Sequence, residues 1–435
     1  MIQRIMTIII LFTLITVAQA QRLYDIPAPF AETPSTSGTM TLTRLGRIIS
    51  SNPFVHRLSI IGLDRTIEAE FDIGQNPRGV VITPDNLRVL AVSDGTLTII
   101  SLQDNTVSAS YRIGGEPYGV VANNETAYVS LRDSDEVIAV NLESGRITER
   151  FPTPANPTAL ALWGDFLYVT HFWTGEFSLI YLPIGEVVRT IQLHPQATLA
   201  QSIEIDPISG RAFLPMTIAN TTGRLANRLI PMLYVVDLEN LQVEESINLV
   251  VADRPVNMPF AVVQPSNRSR LYIAYAGSND VTVLNLDTGI AANHFDSGAN
   301  PRAIRFNSNF TRLYVQDAVD GTISQFDTNF FGLDDQIPAY TESLDAQTQI
   351  GARLFHTATD PRITANRLLS CASCHFNNLS DGRTWGVVET PNLAEIQSFD
   401  AATINAHIQT VQGGRGLSLK GVDMVALIRY LQNAD

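Results

Sequence analysis

The chain of 435 residues contains only two cysteines, Cys371 and Cys374, and a histidine follows them directly: Cys371-Ala372-Ser373-Cys374-His375. Thiols three residues apart can add to the two vinyl groups of one haem, while the adjacent imidazole reaches the iron. A redox dithiol and half of a zinc site use the same spacing. The first expects a βαβ setting and the second a further ligand pair, and neither is evident here. The expectation is one covalent haem c at Cys371 and Cys374, with His375 as its proximal iron ligand. No cysteine is left for a disulfide or a second attachment site.

The other axial position is open in the sequence. Downstream of the motif the histidine is His407 and the methionine is Met424; His356 lies upstream. Each has a plain alternative: His407 on a helix surface, Met424 in or beside an apolar core, His356 buried or solvated. An open or water-bound position is the remaining option. Arg383 and Trp385 follow the motif by eight and ten residues. They suit a haem propionate and the haem edge, or else a turn at Asp381-Gly382 and a small aromatic core.

Helical patterning surrounds the motif. Ser343–Gln347 reads as a helix start, with Ile350 and Leu354 on one face, and Val422, Val425, Ile428 and Leu431 form an apolar stripe near the end. Residues 341–435 are therefore expected to form a small all-α, cytochrome c-like haem domain.

The long stretch before it is a repeat. Asn76-Pro77-Arg78-Gly79-Val80-Val81 is followed forty residues on by Glu116-Pro117-Tyr118-Gly119-Val120-Val121, and forty further by Asn156-Pro157. Met258-Pro259 and Asn300-Pro301 open later units. Each opening leads to short β-rich runs separated by Asp, Gly and Ser turns, the pattern of a four-stranded propeller blade. Ser202–Asp206 reads as a hidden opening followed by a polar, irregular insertion around Thr217–Ile230, and 39–75 supplies one more blade. The fold class is mainly β: a seven-bladed β-propeller over 39–340, its ring closed by an N-terminal strand paired into the last blade, followed by the haem domain. His171, Phe172 and Trp173 are expected to pack between blades, and Asp206, Asp237, Asp287 and Asp327 to shape turns.

The strand phrases Tyr128-Val129-Ser130 and Tyr168-Val169-Thr170 resemble the YVTN-type propeller family. Gly351–Phe355, Leu369–His375 and Ser380–Trp385 together resemble the di-haem cytochrome c peroxidase family, and Gly413–Leu417 fits its tail. That resemblance implies haem binding and redox chemistry outside the cytoplasm. It also implies two attachment motifs per chain, and this chain has one.

Arg4, the apolar run 8–17 and Ala18-Gln19-Ala20 form a secretory signal, 1–20, with a linker at 21–38. The run is short for a permanent anchor, so no membrane span is expected after cleavage. The protein is then exported, periplasmic or extracellular. The net charge of −14 disfavours nucleic acid and anionic membranes. Three functions remain. The first is an exported mono-haem c-type cytochrome whose propeller docks a redox partner protein, donor or acceptor. The second is a peroxidase-like haem enzyme, and the third a binding propeller with a reduced haem domain.

Overall fold

The computed structural model describes residues 33–433 except 266, 365–366, 397–398, 413–418 and 420. The signal segment, most of the linker and Gly413–Leu417 lie outside the described residues. Seven antiparallel sheets of four or five strands follow one another at 40–72, 80–112, 117–152, 157–192, 197–248, 259–296 and 301–338. They are the seven blades of a propeller, numbered here 1–7.

Local chemistry explains the repeat. Asn76, Asn156 and Asn300 take left-handed φ values of 50°, 56° and 59°, and proline then starts or leads into the next inner strand. Asparagine tolerates that region better than other residues with a Cβ, which accounts for the recurring Asn-Pro. Inner strands are mostly buried, Pro117–Ala122 throughout, whereas outer strands such as Thr106–Arg112 are mostly exposed. Around the ring, inner strands approach closely: a Cβ on Gly79 would lie 2.7 Å from the Tyr118 carbonyl oxygen, and one on Gly119 2.3 Å from that of Thr158. Each pair of neighbouring blades buries its own apolar cluster.

Ring closure departs from the expectation. Among the described residues, blade 7 is built from four consecutive strands and receives no N-terminal strand. It meets blade 1 through Met40, Ile48, Ile61, Tyr314 and Ile337, with Gln316 Nε2 donating to the Ser51 carbonyl at 2.7 Å. The N-terminal strand Ser35–Thr36 instead pairs with the inner strand of blade 4, in register Ser35 with Leu162. From there the chain crosses to blade 2, where the Gly38 carbonyl accepts from Val80 N–H at 2.7 Å. The supposed irregular insertion is also ordered. Thr217 and Ile230 lie within nine-residue strands, Arg211–Ala219 and Leu229–Asp237, paired along their whole length. Three of the four aspartates make the expected turns; at the fourth, Asn285 rather than Asp287 accepts the turn amides.

Helices α1 (Ala346–His356), α2 (Ala401–His407) and α3 (Val422–Asn433) follow, with 3₁₀ turns and a two-residue β ladder between. Asp345 caps α1 by accepting from the Gln347 and Thr348 amides. The face assigned to α3 from sequence is half right: Ile428 and Leu431 are partly buried against the core, but Val422 and Val425 are exposed, and Met424, Ala426, Leu427 and Tyr430 form the fully buried face. Gly351 explains the difference, because a Cβ there would lie 2.1 Å from the Ala426 carbonyl oxygen. The helices cross where α1 has no side chain, and that contact selects the buried face. In α1, Leu354 is buried as expected but Ile350 is half exposed.

Gly119→Ala should therefore destabilise the ring by about 1–3 kcal/mol through overpacking against backbone. Chemical denaturation checks this: the midpoint should fall, and an unchanged midpoint would contradict the close approach.

Candidate functional site

Cys371–Ser373 forms one 3₁₀ turn, with Ser370 and Ser373 capping each other's backbone. His375 N–H closes back on the Cys371 carbonyl at 2.9 Å. Both thiols are free and buried. Burial pushes the Cys371 thiol up and the Cys374 thiol well up from the usual range. A redox dithiol needs an accessible thiolate, so these two are poor candidates for exchange chemistry. Among the described residues, no three His, Cys, Asp or Glu side chains are grouped to hold a metal ion.

His375 is buried, with Nδ1 3.3 Å from the Leu379 carbonyl oxygen, an arrangement that fixes an imidazole for ligation. Burial lowers its pKa to about 4, His407 adds to the effect, and the Leu379 and Pro391 carbonyls oppose it. The ring is neutral at pH 7, as a metal ligand must be. The ring of His407, at the end of α2, lies 5.8 Å from that of His375 between centroids. Both line a narrow cleft with Cys371, Cys374, Trp385, Glu389 and Gln412. Gln412 Nε2 reaches the Cys371 sulfur at 3.3 Å, and its Oε1 is buried without a partner.

The other candidates fall elsewhere. Met424 is buried in the apolar core and does not line the cleft. His356 is held by Tyr430 Oη at 3.1 Å and Asn300 Nδ2 at 3.4 Å, in a separate pocket. Arg383 donates to the Trp173 carbonyl at 3.1 Å and does not line the cleft. Trp385 packs against Cys374 while its indole donates to Asp381 at 2.9 Å, so core and cleft-wall roles coincide. His171 bridges the Ala155 carbonyl and Ser178 within its blade. Phe172 does not merely pack between blades: it meets Phe376 at 5.0 Å, directly after the motif.

Two site features escaped the sequence reading. Asn257 Nδ2 donates to the Leu368 carbonyl at 2.7 Å, and its Oδ1 accepts from Ser370 and Ser373 at 3.2 and 3.1 Å. The only cue was its place just before the Met258-Pro259 blade opening. The blade 5 hairpin covers the other side. Its Ala219 and Leu229 pack on Cys374 and Trp385, and Arg228 donates to the Val411 carbonyl at 2.7 Å. The excess length of that repeat was the available signal.

No family model and no curated protein matches the sequence. Solved structures do match in fold. Hydrazine synthase from Kuenenia stuttgartiensis is 14% identical, with a TM-score of 0.60 over 70% of this chain and 96% of its own. The β-propeller domain of Cps50 (Swd1) from Myceliophteria thermophila is also 14% identical, with a TM-score of 0.54 over 66% and 95%. At that identity the likeness extends to the propeller alone.

Asn257→Ala should remove the bond to the Leu368 carbonyl and the shared acceptor of the Ser370 and Ser373 hydroxyls, loosening the turn by about 1–3 kcal/mol. Hydrogen exchange at the Cys374 and His375 amides should speed up while blades 2–4 keep their protection. Unchanged exchange at the turn would remove Asn257 from this role.

Proposed function

We propose that this chain is an exported mono-haem c-type cytochrome whose propeller docks a redox partner protein. Residues 341–435 act as its cytochrome c-like haem domain. The observation that carries the reading is the buried Cys371–His375 turn with a second imidazole, His407, beside the first. Cys371 and Cys374 would hold the haem through thioethers, and His375 would supply a nitrogen ligand to its iron. His407 is the chain's best-placed distal ligand. When bound, the haem supplies a reversible one-electron couple.

The donor set fits haem c, while the cleft has only about 10 Å³ of free space. Haem loading therefore requires the wall bearing Glu389, Thr390, His407 and Gln412 to lie further out. That wall is lightly built: Glu389 ends a two-residue ladder strand, His407 ends a seven-residue helix, and Gln412 ends the five-residue turn after it. Two axial imidazoles favour electron transfer over peroxide chemistry, which needs an open iron position. One attachment motif also separates this chain from a self-contained two-haem peroxidase. Removal of the signal segment places the protein in the periplasm or outside the cell, where haem c is assembled and thiols would otherwise oxidise.

Expression with the cytochrome c maturation machinery should yield one haem per chain, retained on denaturation and lost from Cys371→Ala/Cys374→Ala. The oxidised spectrum should be low-spin, and His407→Ala should convert it to high-spin and admit cyanide readily. Haem released by denaturant would sink covalent attachment, and a low-spin spectrum surviving His407→Ala would remove His407 as ligand.

A further inference from the structure

On the propeller side of the Cys371–His375 turn, the inner strands enclose a second cavity with about 40 Å³ of free space. Arg78, Tyr118, Phe260 and Arg302 line it, all from one position of the repeat: the residue after the opening proline. Blade 5 lacks that proline, and its inner strand is broken between Ala197–Thr198 and Glu204–Asp206. Gln201 and Ser202 from the break complete the lining. Phe376 lies over the site, with the Arg302 guanidinium 5.4 Å from its ring.

The charge here is unbalanced. Arg78 and Arg302 are 6% and 4% exposed, yet their side-chain hydrogen bonds go to neutral groups, Asn377 at 3.2 Å and Asn300 at 2.7 Å. Neighbouring Arg132 has its carboxylate, Glu116; among the described residues neither Arg78 nor Arg302 has one within ion-pair distance. Burial, with the charge of Arg78 beside it, lowers the Arg302 pKa to about 10. Three buried donors, Arg78 Nε, Gln201 Nε2 and Ser202 Oγ, have no partner. Tyr118 donates to Gln201 Oε1, so the amide's acceptor end is engaged and its donor end is spare. Buried cations and unpaired donors around one small void are the complement of an anion.

We propose that this cavity binds a small planar oxyanion, a carboxylate or an inorganic ion such as nitrate or bicarbonate. Guanidinium groups match such ions through paired N–H donors, and the volume admits only a few heavy atoms. The carboxylate can be a free ion or a propionate of a haem carried by the same chain, and the two sources are separable by experiment.

The full-length protein, in a chloride buffer free of oxyanions, is titrated calorimetrically with sodium formate and sodium nitrate. Saturable one-to-one binding is expected, with the two ions competing and affinity at least tenfold weaker in Arg302→Gln. If the haem-bearing protein is silent while the haem-free Cys371→Ser/Cys374→Ser chain binds formate, the resident carboxylate is a haem propionate. Silence in both overturns the proposal. So does binding that Arg302→Gln leaves unchanged. If Arg302→Gln does not fold, Gln201→Leu serves, because its spare donor bonds nothing else, and unchanged affinity there is equally fatal. The heat is read without any haem signal, so failure of the electron-transfer reading leaves this test intact.

Discussion

The carboxamide of Asn257 joins the propeller to the Cys371–His375 turn, and the arrangement of the site depends on it. Its Nδ2 satisfies the Leu368 carbonyl and its Oδ1 gathers the hydroxyls of Ser370 and Ser373. The residue is almost fully buried, so these bonds are made out of water, where an unpaired partner costs most. Asn257 sits in the turn between blades 5 and 6, a position set by the repeat. The orientation of the thiols and of His375 is thereby referred to the ring rather than to the short helices after it.

Those helices could not fix it alone. At 11, 7 and 12 residues they are short, and α2 buries little. Their apolar side chains share one core with blades 6 and 7: Leu354, Phe355, Met424 and Leu427 cluster with Phe260, Ile304 and Val315. Ion pairing reinforces the seam, with Arg353 reaching Asp320 of blade 7 at 2.7 Å. The blade 5 hairpin then supplies the far wall. The segment is a cap folded onto the propeller face, and the Cys371–His375 turn lies where the cap meets the ring.

What could be read in the sequence follows the range of the interactions. Blade number was legible because the Asn-Pro openings and β-branched runs encode it locally, within about forty residues. The Cys-x-x-Cys-His motif was legible because its chemistry is contiguous. Ring closure was not, since pairing of Ser35 with Leu162 joins distant residues that carry no distinctive pattern. The buried face of α3 was half misread because a three-residue stripe is compatible with several helix rotations, and Gly351 opposite decides among them. Asn257 looked like an ordinary turn residue. Its role exists only once residues 368–373 are brought against it. The guanidiniums of Arg78 and Arg302 were hidden similarly, because one repeat position converges on the axis only when seven blades close.

The contrast between surface and interior charge has a further consequence. The chain carries a net charge of −14, yet its interior next to the motif holds two guanidiniums that, among the described residues, have no carboxylate within ion-pair distance. Surface carboxylates are screened by water and salt; the buried cations are not. Arg78 reaches Asn377 and Arg302 underlies Phe376, so both touch residues within two positions of His375. A fixed positive charge at that place favours the electron-rich form of a redox centre carried by the turn. An anion bound in the axial cavity, as proposed above, would cancel part of that bias. The repeat position after the blade-opening proline thus places positive charge both in the cavity wall and beneath the Cys371–His375 turn above it.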